Sequence, residues 1–288
     1  MEEVRNTNPN TEFVESRFSC KDAICLDMYF TAADGAKIHA KHLRPANIEG
    51  KIPAVIMFHG SGDDSGPWSD KLKFVQAGHA VFAMDIRGQA GKSEDIGGVS
   101  GHTMVGHFMR GANDGDPKKL FYRNVFMDAA QLAEIVFSLD FIDKDKVSTF
   151  GNSQGGALTI ACAALQPRIS KAAPLYPYLS DFRRVWDLKL SPTAYSDLFN
   201  YFRMFDPTHE KEDELFNLLG YIDIQFLAKR VKAEVLMATG LMDIACPPST
   251  QFAMYNKLTC KKNKLIYPEY GHEVINDALD RMFVFLTK

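Results

Sequence analysis

Five residues, Gly151-Asn152-Ser153-Gln154-Gly155, constrain this chain more than any other stretch. They fit the pattern G-x-S-x-G. They stand between a β-rich run, Val147-Ser148-Thr149-Phe150, and an alanine-rich apolar run from Ala157 to Leu165. A serine on a sharp strand-to-helix turn needs glycine on both sides, because a side chain there would strike the neighbouring element. Such a turn lifts the hydroxyl out of a parallel sheet and sets it at the positive end of a helix. The pattern alone occurs by chance. Between a buried strand and a helix it points to Ser153 as a nucleophile rather than an idle residue of a glycine-rich turn.

The rest of the chain supplies the sheet. Two strands, at 26–32 and 36–43, flank the hairpin turn Ala33-Asp34-Gly35. Apolar runs without alternation at 53–60, 79–88, 146–150, 171–176, 234–240 and 264–268 suit strands buried on both faces. Helical spacing follows at 70–77, 124–139, 153–165, 249–258 and 277–286. This alternation predicts an α/β chain, one domain over 1–288, with a mostly parallel sheet and helices on both faces. Residues 1–20 read as a polar arm. Residues 88–118 read as a long loop rich in Gly, Asp and His. The aromatic and charged segment at about 178–220 reads as a helical lid.

Composition excludes some functions. The 33 Lys+Arg against 36 Asp+Glu give −3 with no block of like charge, which argues against nucleic acid or a polybasic membrane contact. No run of 18 apolar residues exists to span a membrane, and the N-terminus lacks a secretory pattern. The cysteines, Cys20, Cys25, Cys162, Cys246 and Cys260, form no CxxC pair and no zinc spacing. They read as reduced cytoplasmic thiols with no catalytic meaning, Cys162 being core, and neither metal nor cofactor is expected.

A serine hydroxyl needs a base. On a sheet of this kind the order along the chain is Ser, acid, His. Only His209 and His272 follow Ser153. His209 sits in the charged run Asp206 to Asp213, whereas His272 lies in a loop between a strand and the last helix, so His272 is the expected base. Asp243 directly follows the strand at 234–240 and is the expected acid. Asp181, Asp187, Asp197, Asp206, Asp213 and Asp223 fall in or near the lid. The oxyanion hole is expected from the backbone N–H of Gln154 and of Ser61, in the loop His59-Gly60-Ser61-Gly62. His59 reads as a residue that holds this loop. Arg87-Gly88-Gln89 is expected to brace neighbouring loops by hydrogen bonds.

Together, Arg87-Gly88-Gln89, Gly151-x-Ser153-Gln154-Gly155 and His272-Glu273 resemble the three signature motifs of the family seven carbohydrate esterases, the acetyl xylan esterase and cephalosporin C deacetylase group. Tyr176 to Phe182, Tyr221-Ile222-Asp223 and Cys246 to Thr250 resemble further family stretches, so the likeness covers roughly residues 20–286. The resemblance implies an α/β-hydrolase fold and a Ser153, Asp243, His272 triad. It implies removal of O-acetyl groups from small acetylated saccharides, including xylo-oligosaccharides, and from cephalosporin C. It further implies a metal-free, intracellular protein forming homo-hexamers as dimers of trimers. By position, Tyr178 would line the acyl pocket. Two departures stand out. Ser61 replaces a frequent tyrosine, which leaves the backbone donor but alters the mouth of the site. Asn152 replaces a glycine, and is expected to take up the tight backbone that glycine otherwise adopts. The alternatives are an esterase for other short acyl or aromatic esters, a prolyl-type peptidase on the same fold, or a binding protein without catalysis.

Overall fold

The structure is a computed structural model that describes residues 1–98, 107–189 and 193–288. Nine strands form one sheet: β1 (Glu12–Glu15), β2 (Ala23–Thr31), β3 (Lys37–Pro45), β4 (Ile52–Phe58), β5 (Ala80–Met84), β6 (Ile142–Asn152), β7 (Lys171–Leu175), β8 (Glu234–Gly240) and β9 (Lys262–Tyr267). Their spatial order is β1-β2-β3-β5-β4-β6-β7-β8-β9. Strands β1, β2, β3 and β5 pair antiparallel in turn, and every pair from β5 through β9 is parallel. The mostly parallel sheet expected from the alternation is present, with an antiparallel margin. The hairpin places Thr31 opposite Lys37.

The polar arm is a correction. It folds into helix α1 (Glu2–Asn6) and edge strand β1. All four β1 residues are exposed, so no apolar alternation betrayed the strand. Backbone pairing with β2, from Glu12 opposite Tyr29 to Glu15 opposite Leu26, holds it. Val4 is buried, and Glu3 pairs with Arg123 at 2.7 Å.

Helices cover both faces of the sheet, and the strand period of two sorts the core between them. One face carries Ala54, Ile56 and Phe58 of β4 and packs against α3 (Phe121–Ser138), α4 (Gln154–Leu165) and α9 (Pro248–Lys257). The other carries Val55 and packs against α2 (Leu72–Gln76) and α10 (Asn276–Thr287). Helix α4 lies across β4, β6 and β7, and its Gly155, Gly156, Ala157, Ala161, Ala163 and Ala164 permit the close approach. No helix among the described residues is long and apolar enough to cross a membrane.

The segment read as a lid holds α5 (Phe182–Asp187), α6 (Ser196–Phe205), α7 (Glu212–Leu219) and α8 (Ile224–Leu227), so its helices run past the expected end at 220. Phe182, Val185, Leu198, Phe202, Leu215 and Ile224 are buried in the same core as α4 and α9. Part of the expected long loop, 99–106, lies outside the described residues. Its remainder includes two short 3-10 turns, Ala112–Asp114 and Pro117–Lys119, and the fully buried Phe108.

The chain leaves β4 toward β5 on one side and later enters β6 on the other. The carboxyl ends of β4 and β6 therefore flank a switch in strand order, where a crevice opens above the sheet. The loops after β4, β6, β8 and β9 meet there.

Candidate active site

Strand β6 ends in the tight turn that carries Ser153. A Cβ on Gly155 would stand 2.0 Å from the Phe58 carbonyl oxygen, and one on Gly151 would stand 2.6 Å from the same atom. Both obstacles are backbone, so neither can yield. Ser153 adopts φ 54 and ψ −117, a conformation that costs a non-glycine residue about 1–3 kcal/mol and persists only where surroundings impose it. Its N–H donates to the Leu175 carbonyl at 2.9 Å, and its own carbonyl accepts from Ala157 and Tyr178 at 3.0 Å. The tight backbone expected at Asn152 is therefore at Ser153. Asn152 stays in the β6 ladder opposite Leu175, and its amide reaches the Tyr176 hydroxyl.

Three side chains that are far apart in sequence form one line. His272 Nε2 lies 3.0 Å from Ser153 Oγ, and His272 Nδ1 lies 2.9 Å from Asp243 Oδ2. Asp243 is buried. Its Oδ1 accepts from the N–H groups of Ala245 (2.9 Å) and Cys246 (2.7 Å), and its Oδ2 also accepts from Gln251 Nε2 at 3.3 Å. These donors fix the carboxylate, which fixes the imidazole with Nδ1 protonated and Nε2 free to accept from the serine. The Tyr176 ring packs on the imidazole at 4.6 Å between centroids.

On the opposite flank, two glutamine amides join the loops expected to form the oxyanion hole. Gln89 Nε2 donates to Gln154 Oε1 at 2.7 Å, and Gln154 Nε2 donates back to Gln89 Oε1 at 3.1 Å. Gln89 Oε1 also accepts from the Gly62 N–H at 2.8 Å, and the Tyr122 hydroxyl donates to Gln154 Oε1 at 2.6 Å. Gly62 follows Ser61, so this lattice holds the Ser61 loop against the first residue of α4. The Gln154 N–H, at the start of that helix, has no helical acceptor. Arg87 stands beneath. Its guanidinium is buried and grips both oxygens of Asp128 at 2.7 Å, while also donating to Asp34 at 2.5 and 3.1 Å. Burial opposes the charge, but the two carboxylates raise the Arg87 pKa above its usual range.

Other residues singled out in the sequence fall as follows. His59 is buried; its Nδ1 donates to the Gly60 carbonyl at 2.7 Å, and its Nε2 accepts from the Ile86 N–H at 2.9 Å, so it ties the loop to the β5 end. His209 lies in the segment after α6, beside Glu212 and against the Trp186 and Phe202 rings, away from Ser153. Tyr178 lines the cleft, yet its hydroxyl donates to the Ala194 carbonyl at 2.6 Å and its ring packs on Tyr195, so it also anchors the covering segment.

Three neighbours of the triad had no role assigned from the sequence. Gln251 sits one turn into α9, and a glutamine on an otherwise ordinary helix gave no signal. Tyr176 reads as a strand end and as the start of a family-like stretch, with no role beside the base. Cys246, set aside with the other thiols, is fully buried with its sulfur beside the Ser153 hydroxyl. Burial pushes its thiol well up, so it stays neutral there and does not rival the serine. Asp243, Cys246 and His272 also place potential metal ligands within 4.8 Å of one another, but the first and last are bonded to each other.

Ser61, Ser153, Tyr176, Tyr178 and His272 line a cleft of about 430 Å³. A nucleophile, a base oriented by a buried acid and a turn rich in backbone donors is an arrangement suited to acyl transfer.

A family model described as Acetyl xylan esterase (AXE1) matches residues 1–288. Among solved structures, acetyl xylan esterase 1 from Thermoanaerobacterium sp. JW/SL YS485 is 51% identical with a TM-score of 0.97, covering 99% of this chain and 90% of that one. The acetyl esterase Axe7A of Xylanibacter ruminicola is 28% identical over 183 residues, 64% of this chain. The match spans only 39% of that protein's length. At the level of fold alone, the likeness extends to the alpha/beta hydrolase GrgF from Penicillium sp. sh18, 17% identical with a TM-score of 0.59 and covering 90% of this chain and 96% of that one.

Proposed function

The chain belongs to the acetyl xylan esterase family, and from that premise we propose that it is a serine esterase that removes O-acetyl groups from short acetylated xylo-oligosaccharides. The observation that carries the proposal is the continuous line from Ser153 Oγ through His272 to the buried Asp243. Ser153 attacks the acetyl carbonyl while His272 Nε2 takes its proton. Asp243 stabilises the imidazolium that results. The tetrahedral oxyanion is received by the backbone N–H groups of Ser61 and Gln154. His272 then protonates the departing sugar oxygen, and water hydrolyses the acetyl-serine by the same route.

Related small acetates, cephalosporin C among them, fall within the same chemistry. We read the chain as one catalytic domain whose helices after β7 cover the cleft. The exposed Leu241, Met242, Ile244 and Tyr270 beside the cleft support a homo-oligomer, of which the hexameric dimer of trimers is our specific proposal. Five free cysteines support a reducing, cytoplasmic setting.

The test is Ser153→Ala against p-nitrophenyl acetate and acetylated xylobiose. The substitution is expected to lower kcat by at least about a thousandfold. Retention of near wild-type turnover on either substrate would reject Ser153 as the nucleophile.

A further inference from the structure

We infer that the leaving group of the ester occupies a second cavity that adjoins the catalytic cleft on the His272 side, where Asp63 and Asp70 favour a neutral, hydroxyl-rich leaving group over an anionic one. The inference deepens the esterase reading above and rests on it. The second cavity measures about 300 Å³ and shares Gly60, Asp63, Asn152, Tyr176 and Val274 with the cleft, so the two spaces adjoin.

Direction follows from the chemistry. In ester cleavage the leaving oxygen takes its proton from the imidazole, so it lies toward His272 Nε2 and the body of the alcohol continues beyond it. Val274, two residues past His272, lines both spaces. Tyr178, Ala194 and Ala245 line only the cleft, which places the covering segment away from the second cavity.

The lining suits a sugar. Met57 and Phe150, both half-buried, offer apolar surface for a ring's C–H face, while Asp63, Asp64 and Asp70 offer acceptors for hydroxyls. Asp64 is engaged, since its Oδ1 accepts from the Gly66 N–H at 2.7 Å. Asp63 and Asp70 are exposed and accept no hydrogen bond from any described residue. Against these carboxylates and Glu273 at the cleft stand Lys71 and Lys73. The Lys71 ammonium is buried and turned to the carbonyls of Ser65 and Pro67. Lys73 is exposed, and the Lys41 ammonium adds a third cation on the carbonyl of Gly66, which lines the cavity. The carboxylates of Asp63, Asp64, Asp70 and Glu273 outnumber these cations, so the charge around the cavity is net negative. It repels a carboxylate on the leaving group.

The test compares kcat/KM for acetylated xylobiose, whose leaving group is neutral, with that for cephalosporin C, whose leaving group carries carboxylates. The ratio of the two is measured on one preparation, so it does not depend on how much of a variant is folded. In the Asp63→Asn, Asp70→Asn double variant the ratio is expected to fall about tenfold, with the wild-type ratio itself shrinking as salt is raised. Asp70→Asn alone should raise KM for acetylated xylobiose more than it lowers kcat. A double-variant ratio within twofold of wild type would overturn the inference and leave the esterase reading intact. A wild-type protein that hydrolyses neither substrate, nor p-nitrophenyl acetate, would instead overturn the esterase reading.

Discussion

Replacing Arg87 by methionine isolates one buried charge cluster. Asp128 is 2% exposed, and both of its oxygens are paired with Arg87 at 2.7 Å. Arg87→Met keeps most of the aliphatic length but strands that carboxylate. Removing one partner of a buried pair costs about 3–5 kcal/mol. The contribution from Asp34 is discounted, because that side chain is 30% exposed and can turn to water. For a chain of this size about 1 kcal/mol moves Tm by roughly 2–4 °C, so a drop on the order of 10 °C is expected. Urea denaturation followed by circular dichroism measures the loss. The decisive comparison adds Asp128→Leu to Arg87→Met. Replacing both partners by apolar groups is often close to neutral, so the double variant should regain most of the lost stability. A single-variant loss below about 1 kcal/mol, or a second substitution that deepens the loss, would refute a buried Arg87–Asp128 pair that depends on both partners.

Gly155→Ala puts a methyl 2.0 Å from the Phe58 carbonyl; the variant should yield little folded protein, and normal expression with normal kcat would refute the elbow geometry. Gln251→Leu removes a donor to Asp243 and leaves the Cys246 carbonyl, bonded at 2.6 Å, without its partner; kcat should fall about tenfold with KM little changed, about 1.4 kcal/mol in the barrier. Burial tends to raise the Asp85 carboxyl, but hydrogen bonds from His39 and from the Lys92 and Ser65 N–H groups hold it well below the usual carboxylate range. A depressed folded pKa contributes stability above the unfolded value of about 3.9 and loses it as pH falls through the folded one. Wild type should therefore lose stability below about pH 4, whereas Asp85→Asn should start lower at pH 7 and decline less. Parallel denaturation midpoints for the two proteins from pH 6 to 3 would contradict this.

The parallel core was legible because strands buried on both faces read as apolar runs, and 53–60, 79–88 and 234–240 left no other reading. The elbow was legible because sterics permit only glycine at 151 and 155. His272 and Asp243 were legible through chain order and loop position, and the structure brings both to Ser153. Strand β1 was not, because it is held by backbone pairing that its four exposed side chains do not report. Neither was Gln251, nor the place of Cys246 beside Ser153, because both follow from packing across the end of β8 rather than from local pattern. The displaced strain at Ser153 has the same origin. It depends on where Leu175 and Tyr178 pin the backbone, and residue type at 152 carries no record of that.

Strand β1 also governs how the chain must be handled. It covers β2, a nine-residue strand whose Met28 and Phe30 are buried. A version trimmed at residue 16 would present a long, unpaired row of backbone donors and acceptors to solvent, a template for joining sheets of separate molecules. Glu12 and Glu15, one at each end of β1, keep that boundary charged in the intact protein. N-terminal shortening or a rigid fusion before residue 16 would therefore cost solubility before it cost catalysis.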